Sequence, residues 1–133
     1  MVDTHPTVCN LCGGEVIYTS NARVYHGREY GSGYCYYCLN CGAYVGTHTP
    51  RPKEAMGLLA DESMRKGKIM CHDLFDSLWK DKGKPHRERD RMYRWLADEM
   101  GIPIEDCHFG YFDIHQLRQA YRILKRHCNS LQR

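Results

Sequence analysis

Two copies of one short element, Cys9-Asn10-Leu11-Cys12-Gly13 and Cys38-Leu39-Asn40-Cys41-Gly42, stand twenty-five residues apart and constrain this chain more than any other feature. Thiolates spaced by two residues turn toward a common ion, and a glycine after the second one permits the tight backbone bend around it. Two such knuckles complete a tetrahedron. Soft sulfur ligands in tetrahedral geometry select zinc, and four protein ligands leave no open position for water, so the ion is expected to be structural. The competing readings are buried thiols without metal and a redox pair. A redox motif has a single Cys-x-x-Cys set between a strand and a helix, whereas here there are two. Cys35-Tyr36-Tyr37-Cys38 repeats the spacing, but Cys35 would face away from Cys38 in a strand and is expected to be a packed thiol. His48 follows a completed ligand set and is expected to end a strand.

The segments around the knuckles, Glu15 to Thr19, Tyr34 to Cys38 and Ala43 to His48, have the length of short antiparallel strands, and seven of the ten tyrosines lie between Tyr18 and Tyr44. That composition suits a thin sheet with aromatic cover and carries no helical period. After Pro50-Arg51-Pro52 the apolar residues recur every three or four positions. The boundary is therefore expected near residue 50, with a zinc ribbon over 1–50 and a three-helix unit over 51–133 packed together as one compact body. The fold class is α+β.

The first helix is expected from about Asp61 or Ser63 to Lys80, with Met64, Cys71, Leu74, Phe75 and Leu78 inward and Gly83 and Pro85 ending it. The second is expected from about Arg87 to Met100, with Met92, Trp95, Leu96 and Met100 inward, stopped by Gly101 and Pro103. Asp113, with Gln116 three residues on, reads as a capping box for the third, whose stripe is Ile114, Leu117, Tyr121, Leu124 and Cys128.

Charge is distributed unevenly along this frame. Residues 1–50 hold two basic and three acidic side chains, net −1, and residues 51–133 hold seventeen and thirteen, net +4. Residues 113–133 alone carry five basic side chains and one acid. Arg118, Arg122, Lys125 and Arg126 oppose the apolar stripe of the third helix, without interspersed acids, and are the candidate contact for phosphates or an acidic protein. The second helix has its own basic stripe, His86, Arg87, Arg91 and Arg94, diluted by Glu88, Asp90 and Asp98. No apolar run is long enough to cross a membrane, and the start lacks a basic stretch followed by an apolar one. Eight cysteines without an export signal point to a reducing cytoplasm.

Cys-x-x-Cys-Gly-Gly is followed by Tyr25-His26-Gly27-Arg28-Glu29-Tyr30-Gly31 and Cys38-x-x-Cys41-x-Ala43-Tyr44-Val45-Gly46, and then by Gly57-x-Leu59-Ala60-Asp61, His72-x-x-Phe75-Asp76-x-Leu78-Trp79, Tyr93-x-Trp95-Leu96-Ala97 and Cys107-His108-Phe109-Gly110-Tyr111-Phe112-Asp113. This order of residues resembles a zinc-finger-containing family of unknown function from tailed phages and prophages, and for a phage-encoded chain the expected compartment is the host cytoplasm. The resemblance implies a ribbon fused to helices and implies no activity. Thr47-His48 stands where the family often has a further Cys or Lys, which weakens any role for position 47.

Three functions follow as expectations. The first is a non-enzymatic accessory protein that binds nucleic acid or a nucleic-acid-handling protein. The second is an inhibitor or modulator of a host factor, such as a defence or transcription component, which would need an apolar surface anchor such as Trp79 or an exposed tyrosine. The third is a small metal-dependent hydrolase or nuclease using a pocket of His72, Asp76, His108 and Asp113. His-Asp pairs orient an imidazole for acid-base or metal work. The bland alternatives are that His72 pairs with Asp76, Asp113 caps a helix and Cys107-His108 plugs a loop. The chain has no recognisable catalytic motif.

Overall fold

The structure, a computed structural model, describes residues 2–132. It is α+β and divides into two units, residues 2–62 and 63–132. None of its helices is long and apolar enough to cross a membrane.

The first unit is an antiparallel meander, β1 (Val16–Ser20), β2 (Tyr34–Cys38), β3 (Tyr44–His48) and β4 (Arg51–Ala55), in the order β1-β2-β3-β4. The first three strands lie within a residue of their expected bounds. Residues 51–55, placed by the sequence in the three-helix unit, form β4 instead, and the meander carries the first unit past residue 50. Pro52 and the charges of β4 obscure the strand pattern, but β4 is an edge strand, where proline costs no ladder hydrogen bond. It joins β3 through Thr47 opposite Ala55 and His48 opposite Arg51, with a bulge between. Tyrosines hold it from below: Tyr18 donates to the Pro52 carbonyl at 2.7 Å and Tyr36 to the Lys53 carbonyl at 2.6 Å.

Register decides which side chains share a face. Val16 lies opposite Cys38 and Tyr18 opposite Tyr36, so period two puts all four on one face, with Cys35 on the other. Val16, Tyr36 and Cys38 join Cys9, Ala43, Val45, Ala55 and Leu59 in a buried cluster. Cys35 is buried, and desolvation raises its thiol above the ordinary value.

In the second unit α1 (Glu62–Ser77, its first residue belonging to the strand unit), α2 (Pro85–Met100) and α3 (Ile114–Leu131) appear. Pro85 does not end the first helix: it opens the second, at a position whose N–H would have no helical partner. α1 loosens into turns three residues earlier than expected, with Leu78 bonded to the Phe75 carbonyl and Lys82 to that of Trp79. α2 stops at Gly101, which takes φ +70° and lets the Ile102 N–H reach the Ala97 carbonyl at 3.0 Å.

Leu117 and Leu124 are buried on the apolar stripe of α3, with Ala120 between them. Ile114, Tyr121 and Cys128 are only half-buried. At the N-terminus of α3, Asp113 Oδ1 accepts from the Gln116 N–H at 2.9 Å, and Gln116 Oε1 accepts from the Asp113 N–H at 3.1 Å. Both bonds of the capping box are therefore present. Asp113→Ala removes one of them and should lower stability by about 1 kcal/mol. Urea unfolding followed by helical circular dichroism measures it, and an unchanged midpoint would contradict the cap's contribution.

Candidate functional site

The sulfurs of Cys9, Cys12, Cys38 and Cys41 all lie within 4.8 Å of one another, the only such metal-ligating group among the described residues. Cys9 Sγ is 3.7 Å from Cys41 Sγ, and Cys12 Sγ is 3.5 Å from Cys38 Sγ. Bonds of ~2.3 Å to a tetrahedral ion require sulfur separations of about 3.8 Å, so the cluster fits zinc with little adjustment. Cys9 and Cys38 are buried while Cys12 and Cys41 face outward.

The two knuckles are built alike. The Gly13 N–H reaches the Cys9 carbonyl at 2.9 Å, and the Gly42 N–H reaches that of Cys38 at 3.0 Å. Both glycines have φ near +80°, at +76° and +79°, which only glycine adopts without strain. The turns aim N–H groups at sulfur: Leu11 at Cys9, Gly14 at Cys12 and Cys41 at Cys38, at 3.3–3.4 Å. Such donors stabilise thiolates.

The two outward sulfurs are pushed in opposite directions. The Asn40 side chain, then the Gly14 N–H, lower Cys12 from 9.0 to about 6. At Cys41 the Ala43 N–H pulls downward, but desolvation and the three other thiols outweigh it and raise the group to about 12. One negative charge resists another in this cluster, and a divalent cation supplies the compensation that four thiolates need.

Three supporting residues have no counterpart in the motif spacing. Gly14 approaches the second knuckle so closely that a Cβ there would stand 2.6 Å from Asn40 Cβ and 3.2 Å from the Cys12 and Cys38 sulfurs. Asn10 clasps the backbone of Leu59, donating to its carbonyl and accepting from its N–H, each at 3.0 Å. That clasp ties the segment after β4 to the first knuckle. Asn21, buried, makes the same paired contact with the backbone of Tyr30 at 2.7 and 3.1 Å and holds the long β1–β2 connection. The resemblance of Gly57-x-Leu59-Ala60 to a family motif is the one signal that this segment matters to the ribbon.

The two histidines of the expected His/Asp pocket lie among aromatic rings. His72 packs edge-on against Phe109 at 4.7 Å between ring centroids, and His108 lies 6.2 Å from Tyr93 and 4.7 Å from Tyr111. Between these contacts sit Phe75, Tyr93 and Phe109, with Phe75 4.4 Å from Tyr93. The two histidines thus border one aromatic nest. Desolvation lowers the His72 pKa, with the Asp76 carboxylate working against it. Asp76 lies one helical turn beyond His72 on α1, and Asp113 is engaged as the cap of α3. These four do not gather into a metal-ligating group among the described residues. Cys71 and Cys107 are buried thiols raised by desolvation to about 11, and Cys71 donates to the Leu117 carbonyl at 3.4 Å. Trp79 is half-buried, with the Arg89 guanidinium 5.8 Å above its ring.

Arg118, Arg122, Lys125 and Arg126 are all exposed. None makes an ion pair with a described residue, and α3 contains no acid. On α2 the same kind of charge is partly neutralised, Arg91 pairing with Glu88.

A family model described as a zinc-finger-containing domain matches residues 5–127. No curated protein and no solved structure matches.

Proposed function

Since this chain belongs to the family of zinc-finger-containing domains, we propose that it is a non-enzymatic accessory protein, of the kind tailed phages and prophages encode, whose zinc ribbon is scaffold and whose α3 is the contact surface. Its partner is nucleic acid or an acidic protein that handles nucleic acid. The observation that carries this reading is the unneutralised basic face of α3, where four cations stand exposed on a helix without acids. Long-range attraction from such a face raises encounter rates with polyanions and weakens with salt. The zinc site supports the scaffold role, because four protein ligands leave the ion no position for substrate.

Charge reversal is the test. Arg118→Glu with Arg122→Glu should weaken binding to duplex DNA or to the acidic partner by about a hundredfold at low salt, since two attractions become two repulsions. For DNA, three or four phosphate contacts imply a log–log salt slope near −3, and the loss should be about equal for all sequences. A pull-down from host lysate, with and without nuclease, separates the two partner classes. Unchanged binding by the double variant would move the contact to the tyrosine-bearing sheet, where Tyr18 and Tyr34 stack at 5.1 Å and both are exposed.

A further inference from the structure

A groove of about 390 Å³ runs between α1 and α3, entirely within the helical unit. Its floor is apolar: Gly67 and Met70 from α1 face Ile114, Leu117 and Tyr121 from α3. Gly67 lies beside Leu117 at the groove's base, where a Cβ would stand 3.4 Å from the Leu117 side chain, in ordinary van der Waals contact. Met70 is 48% exposed. Arg118 and Arg122 rise along the α3 edge of the same groove, and neither makes an ion pair with a described residue. Lys125 and Arg126 continue the charge along α3 toward its C-terminus.

We propose that this groove docks an acidic, amphipathic segment of a partner protein, its apolar side chains lying on Met70, Ile114 and Tyr121 and its carboxylates on Arg118 and Arg122. Charge complementarity chooses this occupant. A phosphodiester backbone would engage the arginines and leave the apolar floor without a partner, and a purely apolar segment would bring nothing to the arginine edge. A segment with both characters uses both, which is the way amphipathic helices seat in grooves between helices. The proposal rests on the reading of α3 as the contact surface and narrows the partner to a protein.

Fluorescence anisotropy on the zinc-loaded 133-residue chain tests it with four labelled probes. They are a synthetic helical peptide with leucines on one face and glutamates on the other, its leucine-to-serine version, its glutamate-to-glutamine version, and a duplex DNA oligonucleotide. The amphipathic acidic peptide is expected to bind with Kd on the order of ten micromolar, and each altered peptide at least about tenfold more weakly. Met70→Ala should weaken that peptide several-fold while leaving any DNA affinity nearly unchanged, and Met70→Glu, whose carboxylate also repels an acidic ligand, should weaken the peptide about tenfold. Equal binding by the serine version, indifference to both Met70 variants, or no peptide binding up to about 1 mM would each overturn the proposal. If DNA binds through Arg118 and Arg122 while the peptide does not bind, the groove inference falls and the reading of α3 stands. If Arg118→Glu with Arg122→Glu changes neither ligand, that reading falls as well.

Discussion

Stripping zinc from the whole protein with a chelator is expected to melt the strand unit, and Cys38→Ser is expected to do the same while abolishing stoichiometric zinc. The reason is one of magnitude. A structural zinc contributes about 10–16 kcal/mol of apparent binding energy, comparable to or larger than the ~5–15 kcal/mol that holds a whole domain together. The buried cluster beneath the sheet has eight members, and two of them, Cys9 and Cys38, are ligands. Losing the ion therefore removes the strongest cross-link and leaves charged or unpaired sulfur in the core at once. Acid should act like chelator, because protons compete with zinc for the thiolates. The chain carries its own reporters. Seven tyrosines lie in residues 18–44, whereas both tryptophans, Trp79 and Trp95, lie in the helical unit. Near-ultraviolet tyrosine dichroism should collapse on zinc removal, and metal analysis should find one equivalent before it. A folded Cys38→Ser protein that keeps a full equivalent of zinc would refute the assignment.

The second large effect belongs to the aromatic nest. Phe109→Ala should cost the helical unit about 3–5 kcal/mol, the usual loss when a fully buried phenylalanine leaves a cavity. Phe109 is 1% exposed and its ring meets those of His72, Phe75, Tyr93 and Phe112 at centroid distances of 4.7, 5.5, 6.4 and 5.8 Å. It joins α1 and α2 to the segment before α3, so no single helix can shift to fill the space. Urea unfolding followed by tryptophan emission measures the loss, and the zinc content of the folded variant should stay at one equivalent. A loss below about 1 kcal/mol would mean that the nest is loosely packed. Residual room there would favour a functional pocket bordered by His72 and His108.

What the chain's order of residues determined by itself is whatever closes within one turn or one helical period. Cys-x-x-Cys-Gly encodes a knuckle because the bend, the donors and the ligands all lie within six residues. Asp113 and Gln116 encode a cap because their two bonds span three. The stripe of α3 predicts an exposed basic face, and Arg118 and Arg122 are exposed, but beside the stripe rather than opposite it, since both line the groove with Ile114, Leu117 and Tyr121. Tertiary structure alone decided what depends on partners far along the chain. Pro52 reads as the start of the helical half until β3 supplies an edge to lie against, and Pro85 marks a helix start only because the chain ahead of it has already left α1. Asn10 acquires a role from Leu59, forty-nine residues away. Gly14 is required to be glycine by Asn40. Such pairings are enforced by steric fit and by satisfied backbone hydrogen bonds at closure, and neither leaves a periodic trace in the sequence.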